Sequence, residues 1–460
     1  MIGATLALYA CALACRTEQP VRAPAAAAQA TTASAGGPVA AAEDPWAPSP
    51  AGAPPAAAEP APAPTASALP AEPSESVPPE AVSAMPGVTA DEIKIGQSMP
   101  YSGPASAYGV IGKAEAVYFK MINDAGGVNG RKIALISLDD GYTPPKAVDN
   151  VRKLVEREGV ALIFNSIGTA NNIAVQRYLN DKQVPQLFVG SGADRWADPD
   201  VNPWTIGWQP SYRIEARIYG VHLLASKPRA KVCVLYQNDD FGKDYLIGLK
   251  EGLTEKKFDK MVVKLVSYEV TDPTVDSQIV ALQASGCDTL ISATTPKFGA
   301  QAIRKAYDIG WHPTLFMSAV AVSVSTVLQP AGLDKSVGVT TGVYLKDPED
   351  PAFRNDPGIA DFRALMAEYL PDADPSDVNY RYGYGAAQTL VQVLTQCGND
   401  LSRENIMKQA ANLKHFKVSI ALPGIEINTG PRNYRPITQL QLTRFDGTRF
   451  RRFGKVINGN

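Results

Sequence analysis

From Asp91 to beyond Gly310 the chain alternates short apolar runs with longer amphipathic stretches, and this alternation limits the possible folds more than any other feature. Ile93–Met99 (IKIGQSM) reads as a strand. Gly112–Asp124 (GKAEAVYFKMIND) reads as an amphipathic helix that the glycines of AGGVNG stop. The period repeats with a strand at Lys132–Asp139, a helix at Pro145–Glu158 and a strand at Ala161–Asn165. A helix over 170–182, a strand over 185–189, a helix over 211–226 and a strand over 231–236 follow. Strands that alternate with helices of this size specify parallel βαβ units and an open, doubly wound sheet. There are too many such units for one compact sheet, so the expected fold class is α/β with two Rossmann-like lobes. Ile437–Phe453 differs, because two strand-like runs flank an Asp446-Gly447 turn and predict a hairpin.

The region before Asp91 has another character. Residues 2–15 (IGATLALYACALAC) form an apolar run too short to span a bilayer as a helix, which takes about 20 residues. The run suits the apolar part of a signal peptide followed by a small-residue cleavage site. Ala12-Leu13-Ala14-Cys15 resembles a bacterial lipobox, with Leu8-Tyr9-Ala10-Cys11 as a second candidate. Lipidation of Cys15 (or Cys11) would then provide a membrane anchor. Residues 16–88 turn abruptly to Ala, Pro and Ser with scattered Glu, a composition that cannot bury enough apolar surface to fold. A Pro-rich chain extends at about 3.1 Å per residue, so a tether of this length reaches on the order of 200 Å.

Composition and motifs exclude several classes of function. A net charge of -2 gives no electrostatic basis for nucleic-acid binding. Three histidines and five cysteines, widely scattered, make no metal framework, and no cofactor is expected. Cys233 lies in an apparent strand and Cys287 just before another, so both read as core residues. With Cys397 they make an odd number, and any disulfide among them would leave one thiol over. The chain contains no GxxxxGK[ST], HExxH, GxSxG or CxxC motif. His222, His312 and His415 are far apart, and Asp139-Asp140 at a strand end suits a loop or cap. Binding, with no catalytic residue, is the reading these observations leave.

Several segments, in order and spacing, resemble branched-chain amino acid-type periplasmic binding proteins. They are Tyr101-Ser102-Gly103-Pro104 with Tyr108-Gly109, the run Ile122–Gly130 (INDAGGVNG), the strand ending Asp139-Asp140, the turn Asn238–Gly242 (NDDFG) and the helix start Tyr384–Ala387 (YGAA). The resemblance spans roughly residues 91–455. It implies the type I periplasmic binding fold, with two lobes, three hinge crossings and a ligand cleft between them. The lobes are expected at 91–207 plus 340–434 and at 208–339 plus 435–460. It also implies a monomeric, extracytoplasmic binding subunit that serves an ABC permease and its ATPases. A protein of this fold could instead sense its ligand for a signalling partner acting in trans.

The site follows from both arguments. In an open parallel sheet, ligands bind beyond the carboxyl ends of the strands. Asn165–Asn172 (NSIGTANN) is such a strand-to-helix loop, where free backbone N–H groups favour a carboxylate. Val189–Ala193 (VGSGA) brings bare backbone close to it. By resemblance, Thr169 with Ala170, and Ser191 with Ala193, contact the polar head of the ligand. Tyr108, Phe241 and Thr295 fall at further contact positions. The acidic residue that holds an ammonium in amino-acid-binding relatives is matched here by Val320 in Phe316–Ala321 (FMSAVA). An α-ammonium buried there without a counter-charge would cost several kcal/mol. Trp196, Trp204 and Trp208 cluster near the first hinge, and Trp208 is the candidate cleft residue among them. The expected ligand is therefore a carboxylate with an apolar or aromatic body.

Overall fold

The computed structural model describes residues 85–459. The leader, with Cys11 and Cys15, and the tether as far as residue 84 lie outside the described residues. Met85–Val88, which composition assigned to the tether, are in place against the first strand. Lys94 N–H donates to Gly87 O, and Val88 bridges Ile93.

The first sheet holds β1 (Glu92–Met99), β2 (Lys132–Asp139), β3 (Leu162–Phe164), β4 (Gln186–Val189) and β5 (Thr205–Gly207). Its order is β2-β1-β3-β4-β5, parallel throughout. The second sheet holds β6 (Val232–Gln237), β7 (Val262–Tyr268), β8 (Thr289–Ala293), β9 (Thr314–Met317) and β10 (Thr340–Val343). The antiparallel strands β11 (Gln439–Phe445), β12 (Phe450–Arg452) and β13 (Ile457–Asn458) complete it. Its order is β12-β11-β10-β9-β8-β6-β7, with β13 on β11. Helices cover both faces of such sheets, so central strands such as β3, β4 and β8 are buried at every residue. The sheet order reverses beside β1 in one lobe and beside β6 in the other, and these switch points open the crevice where ligands bind. The predicted hairpin is present as β11 and β12, antiparallel across Asp446-Gly447.

β5 ends the first sheet at Gly207, and β6 to β13 all belong to the second. β10 pairs with β9 and β11, so the second sheet keeps 340–343, which the sequence reading gave to the first lobe. Beyond it, Lys346 N–H donates to Ile420 O and Leu422 N–H to Tyr344 O, closing the segment 344–422 on itself. The helix Val378–Cys397 packs on the helix Gly109–Asp124. Tyr384 meets Tyr118 edge-on at 4.9 Å and Phe362 at 5.5 Å.

Cys233 and Cys287 form a disulfide with Cα atoms 5.9 Å apart, which corrects the reading of both as unpaired core residues. β8 lies directly beside β6 and brings Cys287, just ahead of β8, next to Cys233. Cys397 is free and buried.

Candidate functional site

A cavity opens between the lobes. Its wall is built from residues that follow strand ends. Tyr108, Tyr142, Gly168, Gly190 and Gln209 follow β1 to β5, and Phe241, Thr295, Val320 and Tyr344 follow β6, β8, β9 and β10. Seven aromatic rings line it: Tyr108, Tyr142, Tyr212, Phe241, Tyr344, Tyr382 and Phe450. Tyr212 and Phe241 lie 4.4 Å apart between centroids. Burial pushes each of the five phenols above its ordinary value, so all are neutral O–H groups at physiological pH. Aliphatic groups such as Ile111, Ile167, Val320 and Val343 fill the gaps between rings.

Four residues singled out from the sequence, Tyr108, Phe241, Thr295 and Val320, stand on this wall. Tyr108 and Val320 meet across the cleft, with the Tyr108 hydroxyl donating to Val320 O at 3.0 Å. Thr169, Ala170, Ser191 and Ala193 stand one layer back. The Thr169 and Ser191 hydroxyls bond each other at 2.7 Å, and Ser191 Oγ accepts the Ala193 N–H at 3.2 Å. Their neighbours Gly168 and Gly190 present backbone to the cavity. Gly168 has φ +106°, and an added Cβ would come within 2.7 Å of the Tyr142 ring. It is also the N-cap of the helix Thr169–Asp181 and brings no capping side chain. The first-turn N–H groups of that helix, with the positive end of its dipole, therefore stand behind the cavity wall.

Trp208 is fully buried and does not line the cavity, which corrects its assignment to the cleft. Its Nε1–H donates to Thr389 Oγ1 at 3.0 Å, and its ring meets Tyr382 and Tyr344 edge-on at 4.9 and 6.0 Å. It supports two wall residues from behind. Trp196 is buried against Gly207.

Charge enters the wall at one end, in two pairs. Arg452 Nη2 lies 2.9 Å from Asp350, and Arg381 Nη1 lies 3.6 Å from Asp347 while donating to Lys346 O at 2.8 Å. Each acid on the wall has an arginine beside it. Asp239, close to Tyr142 and Tyr212, is committed to Gln237 Nε2 and to capping the helix Asp240–Leu253, and burial raises it to about 6. The cavity thus offers aromatic faces, hydroxyls and a helix N-terminus, with no unpaired carboxylate on the wall among the described residues.

Sequence reasoning missed Tyr142, Tyr212, Tyr344 and Tyr382. A signal existed for Tyr382, which alternates with Tyr380 and Tyr384 in the run Asn379–Gly385 (NYRYGYG).

Residues 92–449 match the family model described as periplasmic binding protein. The chain belongs to that family. Its members bind small molecules outside the cytoplasm and are not enzymes. The Leu/Ile/Val-binding protein homolog 1 of Brucella suis biovar 1 is 23% identical over 321 residues, covering 68% of this chain and 81% of the relative. A branched chain amino acid ABC transporter protein from Thermus thermophilus, solved with bound valine, superposes with a TM-score of 0.72. It is 17% identical, over 81% of this chain and 97% of that one. A solute binding protein of an R. palustris ABC transporter, solved with benzoate, gives 0.67 at 19% identity, over 80% and 98%. Both neighbours have the two-lobed fold. Among the described residues of this binding protein, no helix is long and apolar enough to cross a membrane.

Proposed function

We propose that this periplasmic binding protein captures a small organic acid with an apolar or aromatic body and delivers it to an ABC importer by clamp closure. The carrying observation is the wall itself: seven aromatic rings around a helix N-terminus that no side chain caps, with both wall acids beside arginines. The carboxylate sits against Gly168 and Gly190, at the start of the helix Thr169–Asp181. The body of the ligand lies between the rings of both lobes, so binding stabilises the closed form by touching each. Residues 91–207 with 344–434 act as one lobe, and 208–343 with the terminal hairpin as the other. The protein works as a monomer, held to the membrane by lipid on Cys15 (or Cys11), and it presents the closed clamp to a permease and its ATPases. The Cys233–Cys287 disulfide supports an oxidising, extracytoplasmic location.

That a structural neighbour was solved with benzoate supports the ligand class, while the neighbour solved with valine marks the competing one. A thermal-shift panel of aromatic and branched carboxylates, their amides, leucine, valine and sugars decides between them. A binder raises the melting temperature by mass action. Carboxylates should shift the protein and their amides should not. A shift with leucine or valine, and none with any simple carboxylate, would refute the assignment.

A further inference from the structure

Behind the Val320 wall lies a buried carboxylic acid. Glu215, on the helix Tyr212–Ser226, is 3% exposed. Its Oε1 accepts the Ala319 N–H at 2.8 Å, and Ala319 is part of the cavity wall. The same oxygen lies 2.5 Å from the Tyr219 hydroxyl. That hydroxyl accepts the N–H of Gly342, another wall residue, at 2.8 Å and lies 2.9 Å from Met317 O. One small cluster therefore holds the loop after β9 and the strand that ends at Val343.

We infer that Glu215 is a positioning residue for the binding cavity, and that it carries a proton when the wall is in its binding arrangement. Counting protons supports this. The Tyr219 hydroxyl has a single proton and three possible acceptors within reach, Glu215 Oε1, Met317 O and, at 3.3 Å, Thr341 Oγ1. If Glu215 is ionised, Tyr219 must donate to it and gives nothing to Met317 O. If Glu215 is protonated, its own O–H donates to Tyr219, and Tyr219 donates to Met317 O. The Ala319 and Gly342 N–H groups remain bonded throughout, so only the protonated form lets Tyr219 serve both Glu215 and Met317 O.

The surroundings agree. The titratable groups that face Glu215 are tyrosines: Tyr212 and Tyr219 from its own helix, Tyr245 from the helix Asp240–Leu253 and Tyr344 after β10. No cation stands among them to hold a carboxylate charged. Burial pushes Glu215 up to about 7, against the lowering effect of its hydrogen bonds. Ionisation in the neutral range would place an uncompensated negative charge behind Ala319 and free Met317 O from Tyr219.

For a ligand that is itself an acid, as proposed above, both consequences weaken binding. Affinity should fall as pH rises through about 7, by up to tenfold per pH unit between the values for the free and liganded protein. For a cationic ligand the sign reverses, so the direction of the pH profile tests the ligand class separately from the role of Glu215.

The test follows the amide signals of Ala319 and Gly342 in the ligand-free protein by NMR from pH 5 to 9, in wild type, Glu215→Gln and Glu215→Ala. Wild type should show both amides titrating together with a midpoint near 7. Glu215→Gln, which copies the protonated form, should hold both signals at their low-pH positions. Glu215→Ala should displace them at every pH. With benzoate as probe, wild-type affinity should fall from pH 6 to pH 8, and Glu215→Gln should keep its low-pH affinity across the range. Amides that do not titrate in wild type, or that titrate equally in Glu215→Gln, would overturn the role of Glu215 whatever the protein binds. A normal Glu215 titration with benzoate affinity rising with pH would leave that role standing and refute the acid ligand.

Discussion

Breaking the Cys233–Cys287 disulfide should destabilise one lobe and spare the other. The bridge closes a loop of 54 residues that lies within the second lobe and contains β7 and the helix Asp276–Ala284. On a chain-entropy argument, a loop of that size is worth about 4 kcal/mol at 25 °C, drawn mainly from the unfolded state. A typical domain is stable by only about 5–15 kcal/mol, so the loss is a large share of the total. The paired alanine variant, or the protein in reductant, should unfold in urea in two stages. The second lobe should come apart first, and the first lobe should keep its original midpoint. Circular dichroism gives the secondary structure. Fluorescence of Trp311, whose Nε1–H donates to Cys287 O at 3.1 Å, reports the second lobe. Peptide mapping after alkylation of the denatured, unreduced protein should label Cys397 and leave Cys233 and Cys287 untouched. Superimposable denaturation curves with and without reductant, or alkylation of Cys233 and Cys287 as well as Cys397, would show that the bridge does not hold the second lobe.

Other substitutions separate the wall from its support. Tyr108→Phe removes the hydroxyl that reaches Val320 O across the cleft. A hydrogen bond of this kind contributes about 1 kcal/mol, so affinity should fall about fivefold by calorimetry, with little change in the melting temperature of the open protein. Gly168→Ala forces a side chain into φ +106° and against the Tyr142 ring. It should cost about 1–3 kcal/mol in denaturant titration and largely abolish binding. Trp208→Ala, by contrast, empties a fully buried site behind Tyr382 and Tyr344. It should cost about 3–5 kcal/mol of stability, and a variant that lost affinity without losing stability would return Trp208 to the cleft.

The strand and helix alternation was legible because each element carries its own period. The helix expected at 112–124 begins three residues earlier, at Gly109, and the strand at Lys132–Asp139 agrees at both ends. What escaped the sequence depends on neighbours that only the folded chain supplies. Cys233 and Cys287 meet because β8 lies beside β6 while the intervening β7 forms the sheet edge. Nothing local to either cysteine records that order. Trp208 was read as a cleft residue from its place at the first hinge. Its ring instead turns toward the helix Val378–Cys397, which returns to the first lobe far along the chain and receives it at Thr389. The aromatic wall was hidden for the same reason, since Tyr142, Tyr212, Tyr344 and Tyr382 come from four separate segments. In the last of these, helical phase decides which ring faces the cavity. Tyr382 does, while Tyr384, two residues on, packs against Tyr118 and Phe362. The loops expected to receive the ligand reach the cavity through Gly168 and Gly190, while the side chains chosen beside them, Thr169 and Ser191, bond each other behind the wall.

Calorimetric titration at pH 6 with one aromatic carboxylate, its primary amide and leucine separates an organic-acid carrier from an amino-acid carrier. The aromatic wall and the Gly168 helix start predict binding of the acid, at least tenfold weaker binding of the amide, and no heat of binding with leucine. Tight binding of leucine beside an inert carboxylate would contradict the claim and return this protein to the amino-acid carriers it resembles.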